Sequence, residues 1–143
     1  MALGSVVQED VGRLVHRLNF AEKVERSLRL IRQAHEQYGD RLVVAHSLGK
    51  DSSVVWDLAK RVSRDIRGFI VTTRFKPLET KQFMREIVAR YPELTIFENR
   101  NPIPDRLYAT DPDLCCELLK VRPTRQAVED LGCLLYTSDA ADE

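Results

Sequence analysis

The sequence predicts a three-layer α/β/α domain built on a mainly parallel sheet. Three short apolar runs alternate with segments of helical periodicity: Leu42-Val43-Val44-Ala45, Gly68-Phe69-Ile70-Val71-Thr72-Thr73 and Leu94-Thr95-Ile96-Phe97. The first two are apolar at successive positions, as in strands covered on both faces. Short connections join strand to helix, which implies right-handed crossovers between parallel strands.

Taken in order, residues about 5–18 are expected to form a short, weakly specified helix. Phe20 to Tyr38 reads as a stronger one. Phe20, Val24, Leu28 and Ile31 recur at helical spacing, and Glu22/Arg26 and Glu25/Arg29 are i,i+4 pairs in the favourable order. Gly39 supplies a stop. The first strand runs from Leu42 to Ala45 or His46. The helix after it extends to about Val62, with Val54, Leu58 and Val62 expected inward. After the second strand, a helix from about Leu78 to Tyr91 places Phe83, Ile87 and Tyr91 on one side. Pro102, Pro104 and Pro112 make Asn99 to Pro112 an ordered loop. Asp113 is expected to cap a helix through Lys120, and Pro123 to open another reaching Leu131.

The chain has 143 residues, 43% of them hydrophobic, enough for one domain with a real core. Its 22 basic and 22 acidic residues balance, so no global field favours nucleic acid or a membrane surface as partner. No apolar run is long enough to span a bilayer, and no secretory segment follows Met1. With three cysteines and no signal peptide, the expected location is cytoplasmic, where thiols serve as ligands or catalysts rather than disulfides. His16, His35 and Trp56 read as packing or surface residues. His46, at a strand end, reads either as structural or as touching a ligand.

The last eleven residues, Cys133 to Glu143, resemble the in-frame translation of a transposon-end sequencing adapter. The expected organisation is an N-terminal helical segment (1–39), a truncated α/β domain (40–132) and a non-native tail (133–143). The tail carries three acidic residues and no basic one, so the rest of the chain has a net charge of +3. Without the tail, only the adjacent pair Cys115-Cys116 remains.

The most informative segment is Ser47-Leu48-Gly49-Lys50-Asp51-Ser52, between the first strand and the next helix. A strand, a tight turn and a helix N-terminus form an anion site, because first-turn N–H groups and the helix dipole both face the ligand. Gly49 allows close backbone approach and Lys50 adds positive charge. The Ser52 hydroxyl is read as a helix cap or a phosphate ligand. A Walker A loop would need glycine at position 44, which is Val. In an open α/β sheet, ligands bind beyond the carboxyl ends of the strands. The second strand ends in Thr72-Thr73-Arg74-Phe75, with Glu79 and Thr80 opening the next helix. Arg74 is read as an anion contact or a solvated loop residue, Glu79 as a site residue or a helix-start acid. Cys115 and Cys116 are expected near the start of the Asp113-capped helix, where thiolate is stabilised. Thiolates select iron–sulfur clusters or zinc, and two adjacent ones would serve one cluster. The alternative is two small buried residues.

Ser47 to Ser52 resembles the S-G-G-K-D-S loop of the PP-loop ATP pyrophosphatases and of the phosphoadenylyl-sulfate (PAPS) and adenylyl-sulfate (APS) reductases. Leu48 stands for the first glycine. Thr73, Glu79 and Thr80 match the reductase pattern D-T-G-x-x-F-x-E-T, with Thr72, Arg74 and Pro77 departing from it. Cys115, Cys116, Lys120, Val121 and Pro123 match C-C-x-x-R-K-V-x-P of the cluster-bearing APS reductases, with Leu119 departing. The resemblance implies a Rossmann-like adenine nucleotide alpha hydrolase-type fold. It also implies reduction of adenylyl-activated sulfate to sulfite, through an enzyme S-sulfocysteine resolved by thioredoxin or glutaredoxin. Cys115 and Cys116 would be two ligands of a 4Fe–4S cluster, and Lys120 would lie between cluster and substrate anion. The later C-x-x-C pair and the nucleophilic cysteine of that family are not in this sequence, so the chain reads as an inactive N-terminal fragment with no catalytic residue of its own. A homo-oligomer is left open. The alternatives are an adenylating enzyme that uses ATP and a non-catalytic nucleotide- or cluster-binding module.

Overall fold

The computed structural model describes residues 17–135, with side chains as far as Gly132. The helix expected over about 5–18 lies almost entirely outside them. Helix α1 spans Phe20–Tyr38 and is opened by a capping box: Asn19 Oδ1 accepts from Glu22 N–H, and the Glu22 carboxylate accepts from Asn19 N–H. Glu22 is thereby drawn from the expected pairing with Arg26, and Glu25 meets Arg32 rather than Arg29, at 3.6 Å. Ile31 is buried and Val24 and Leu28 pack against the core, but Phe20, at the first helical position, is 82% exposed.

Strands β1 (Leu42–Ala45), β2 (Arg67–Thr72), β3 (Leu94–Glu98) and β4 (Cys133–Leu135) form a parallel sheet in the order β3-β2-β1-β4. Helices α2 (Lys50–Val62) and α3 (Leu78–Arg90) follow β1 and β2. With α1 they cover one face, where Leu42, Val44, Ile70 and Leu94 meet Ile31, Trp56 and Ala59. The buried side of α2 is set by Ser52, Trp56 and Ala59, so Leu58 is buried but Val54 is outward and 57% exposed, against expectation. On α3, Ile87 and Tyr91 reach the core as expected, whereas Phe83 is 40% exposed and lies outside it.

Val43, Ala45 and Phe69 line the other face, against Ala127 and Leu131 of the helical segment that follows β3. That segment departs from expectation. A short helix α4 (Leu107–Thr110) interrupts the proline-rich loop, anchored by buried Leu107. Helix α5 (Pro112–Cys116) is capped by Asp111, not Asp113: Asp111 Oδ1 accepts from Leu114 N–H at 3.1 Å, and Pro112 takes the first position, where no N–H is needed. No break follows. A π-helical turn, Glu117–Val121, leads directly into α6 (Arg122–Leu131). Pro123 has no N–H to offer Leu119, and a wider turn accommodates that loss inside a continuous helix. Glu117 and Arg122 pair across the wider turn at 3.7 Å.

Gly132 then turns the chain at φ 115°, and the backbone of β4 pairs Cys133 with Leu42. The first residues of the presumed tail thus have a partner, because an apolar tripeptide there can satisfy the open edge of β1.

Gly68 is tightly enclosed within the sheet. It pairs with Val44 on one side and Leu94 on the other. A Cβ there would lie 2.7 Å from the Trp56 ring, 2.8 Å from Leu94 Cδ2 and 2.8 Å from the Val44 carbonyl oxygen. Gly68→Ala is therefore expected to destabilise the fold by about 3 kcal/mol, the upper range for overpacking, since one of the three neighbours is backbone. Urea denaturation would measure it, and a change under about 0.5 kcal/mol, as at an unconstrained surface site, would refute the packing argument.

Candidate active site at the carboxyl ends of the strands

Because the strands are parallel, the segments after β1, β2 and β3 emerge at one edge of the sheet. The strand order places β2 and β4 on opposite sides of β1, which makes the end of β1 the topological switch point where such sheets bind ligands. Residues 46–49 occupy that point.

Gly49 is the N-cap of α2, with φ −85° and no side-chain cap bond. Lys50, Asp51 and Ser52 are the first three helical residues, and their N–H groups have no carbonyl within the helix to bond. Lys50 is exposed and makes no side-chain hydrogen bond or ion pair among the described residues, so its ammonium group is available. Asp51 is also exposed. Ser52 differs from expectation. Its hydroxyl is fully buried, donates to the Gly49 carbonyl at 3.1 Å and shares a 3.0 Å hydrogen bond with the Ser47 hydroxyl. It therefore locks the turn from inside instead of capping the helix, and only its backbone N–H faces the anion side. Ser53 Oγ also donates to the Gly49 carbonyl, at 2.7 Å.

Leu48 carries the turn's strain, with φ 69° in the left-handed region. This is the position at which the resembling motif has glycine. Its N–H donates to His46 Nδ1 at 2.9 Å, and its side chain packs against the main core. His46 is 2% exposed, and its own N–H donates to the Phe69 carbonyl. The sequence marked His46 only weakly. The cue it offered was a titratable residue directly between a buried strand and a glycine-lysine turn.

Arg74 does not point freely into solvent. Its guanidinium donates to the Asn101 carbonyl at 2.6 Å and lies over the Phe75 ring. It thus ties the segment after β2 to the segment after β3. Thr73 Oγ1 accepts from Phe75 N–H, and Glu79 sits exposed in the first turn of α3.

The continuous helix 112–131 begins at this same edge and ends at the opposite one, where Arg67 donates to the carbonyls of Asp40 and Leu131. Asn99, just past β3, donates from Nδ2 to the Leu118 carbonyl at 3.0 Å and fixes the upper part of that helix. Cys115 and Cys116 are free, half-buried thiols one turn before this contact. They lie toward the edge that carries Lys50 and outside the two core clusters. Cys115 N–H already bonds the Asp111 carbonyl at 3.0 Å, so the pair stands past the unpaired N–H groups that sequence reasoning assigned to it. Lys120, in the π turn, is half-buried and has partners of its own.

Burial lowers the pKa of His46 from 6.5 to about 4. Between those values the unfolded chain binds a proton that the folded chain refuses, so stability falls as pH drops through that window and is unaffected by this group above it. Between pH 7 and pH 5 the expected loss is about 2 kcal/mol. Denaturation at the two pH values should show it in the wild type, and His46→Asn should remove it. An equal loss in both proteins would assign the effect to other groups.

Comparison with known proteins agrees with this architecture. The sequence model of the phosphoadenosine phosphosulfate reductase domain matches residues 41–137. The adenosine 5′-phosphosulfate reductase of Halalkalibacterium halodurans is 35% identical over 118 residues, covering 76% of this chain and 51% of that protein. Adenosine 5′-phosphosulfate reductase 1 of Bacillus subtilis is 32% identical over 111 residues, covering 71% and 48%. The chain thus spans about half the length of the curated relatives it matches. In fold it is similar to the PAPS reductase of Candida auris, with a TM-score of 0.62 at 16% identity over 82% of this chain and 66% of that one. It is also similar to the NH3-dependent NAD synthetase of Campylobacter jejuni, with a TM-score of 0.60 at 14% identity over 85% and 57%. The sheet is therefore of the Rossmann-like alpha hydrolase type. The turn at 46–52 stands at the end of β1, inside the stretch that the domain model matches. Through that match the chain belongs to the phosphoadenosine phosphosulfate reductase domain family.

Proposed function

We propose that this chain is the nucleotide-binding part of a sulfonucleotide reductase that converts adenylyl-activated sulfate to sulfite. The observation that carries the reading is the turn at 46–52. It presents three unbonded first-turn N–H groups and the Lys50 ammonium at the switch point of a sheet whose family acts on such nucleotides. The phosphate–sulfate end of APS or PAPS would sit on Gly49, Lys50, Asp51 and Ser52 through backbone N–H groups. Thr73, Arg74 and Glu79 would border the nucleotide from the end of β2. In the reaction, a cysteine thiolate outside this chain attacks the substrate sulfur. An S-sulfocysteine forms as the bond to the nucleotide phosphate breaks, and the nucleotide leaves. One thiolate of a dithiol protein of the thioredoxin or glutaredoxin kind then attacks the Sγ of the S-sulfocysteine, so that sulfite leaves and a mixed disulfide forms. Its second thiol displaces the enzyme cysteine thiolate, leaving the reductant as a disulfide. A cytoplasmic location accords with this reducing chemistry. Among the described residues no helix is long and apolar enough to cross a membrane.

Cys115 and Cys116 fit half of a four-thiolate shell: they are adjacent, half-buried and free. Among the described residues no group of three or more His, Cys, Asp and Glu side chains could hold a metal; on the family resemblance the other two ligands would be a further cysteine pair. A 4Fe–4S cluster held there would supply a polarising charge beside the substrate anion, with Lys120 on the same helix. In the longer natural protein, Cys115→Ser or Cys116→Ser should abolish the brown colour and lower iron and sulfide content. Unchanged iron and sulfide would remove the cluster from the reading. Residues 133–143 are proposed to be non-native, with Cys133–Leu135 taking a place at β1 that any short apolar strand would suit.

A second reading rests on the likeness to the NAD synthetase fold and on Lys50-Asp51-Ser52: an adenylating enzyme that uses ATP and releases pyrophosphate. Calorimetry separates the two. Lys50→Ala should weaken adenosine 5′-phosphosulfate binding by about 1.5–3 kcal/mol, the range for a charge-assisted hydrogen bond. Equal binding by wild type and variant would refute the loop assignment. A clear preference for ATP with magnesium would favour the adenylating enzyme.

A further inference from the structure

The resembling loop motif has glycine where this chain has Leu48, yet the backbone keeps the left-handed conformation that glycine adopts at no steric cost. Two contacts hold Leu48 there. Its side chain packs on the main core, and its N–H donates to the buried Nδ1 of His46 at 2.9 Å. The next residue, Gly49, is the N-cap of α2, so the conformation at 48 sets the direction in which the unbonded N–H groups of Lys50, Asp51 and Ser52 point. We propose that His46 is the positioning residue of the anion turn, its ring nitrogen replacing the conformational freedom that glycine would give at position 48.

Several observations agree. An imidazole nitrogen that accepts must be bare, so the ring proton sits on Nε2. Among the described residues His46 Nε2 is buried without a hydrogen-bond partner, and the one polar contact of the ring is the one to Leu48. Burial keeps the ring neutral at neutral pH, as acceptance requires. The backbone of His46 is itself fixed by its bond to the Phe69 carbonyl, so the ring is anchored to β2 and not to the turn itself. The inference rests on the reading of this turn as the anion site.

The test is a cycle of variants in the full chain, read by calorimetry with AMP and by thermal unfolding. His46→Leu should weaken AMP binding about tenfold, the loss expected for one hydrogen bond of about 1.4 kcal/mol. His46→Asn should stay within about threefold of wild type, because its Oδ1 can take the place of Nδ1. The double variant His46→Leu/Leu48→Gly should recover most of the lost affinity, since glycine needs no restraint. A structural role alone would not give that recovery. Wild-type affinity in His46→Leu, or no recovery on adding Leu48→Gly, would overturn the proposal. Nitrogen NMR of the imidazole in the wild type gives a ligand-free arm that needs no variant to fold. A bare Nδ1 and protonated Nε2, with a slowly exchanging Leu48 amide, are expected, and the opposite tautomer overturns the proposal. If the wild type binds no AMP while this arm holds, the anion-site reading fails and the positioning of the turn by His46 stands.

Discussion

The site depends on how closely α2 lies against the sheet, and Gly68 sets that distance. With no side chain at 68, the Trp56 ring descends onto β2 between Val44 and Leu94. Tyr91 meets its edge at 5.5 Å, and the Lys60 ammonium sits 4.7 Å over its face while pairing with Glu93 and donating to the carbonyls of Arg64 and Ile66. One indole thus ties α2 to β2, to α3 and to the segment before β3. A helix seated so firmly has a fixed N-terminus, and here that N-terminus lies at the end of β1. The entropy of ordering the anion turn is then met in folding, before any ligand arrives.

Sequence pattern read the strands and long helices well because burial on both faces leaves little choice. β1 is apolar throughout and β2 from Gly68 to Val71, and the expected ends of α1 are the observed ones. Errors arose where one chemical detail overrode periodicity. Val54 was placed inward by spacing from Leu58, but the phase of α2 follows Trp56 and Ser52, and a buried serine is invisible to a hydrophobic count. Asp113 is the expected cap, but Pro112 suits the first helical position and so makes the residue before it, Asp111, the cap. The i,i+4 spacing assigns Glu22 to Arg26, whereas its carboxylate closes a capping box with Asn19.

The candidate site was legible as a motif but not as a mechanism of restraint. Gly49-Lys50-Asp51-Ser52 has the pattern of an anion turn. Which serine faces inward, and what compensates for the missing glycine, depended on three-dimensional partners. Ser47, Ser52 and Gly49 close the turn from within, and His46 closes it from the strand side. The helix 112–131 shows the same limit. Pro123 suggested a break, since a proline cannot donate to the residue four before it. The chain widens to a π turn instead, and a carbonyl of that turn, Leu118, is taken by Asn99. That bond joins the cysteine-bearing helix to the end of β3, so the irregularity serves to register one element of the site against another.

Leu48 brings these threads together. A left-handed leucine costs on the order of 1–2 kcal/mol relative to a relaxed backbone, and such strain persists only where surrounding contacts over-determine it. Glycine would remove the strain and leave the turn somewhat freer, at a small entropic cost on ligand binding. Leucine with a histidine partner has the opposite balance. The folded state is strained, the turn is rigid, and the apolar side chain adds to the core beside α2. The departure from the glycine motif therefore exchanges intrinsic flexibility for a restraint supplied by β1. It also makes the geometry of the anion turn conditional on a neutral ring at position 46, a dependence that a glycine-bearing turn would not have.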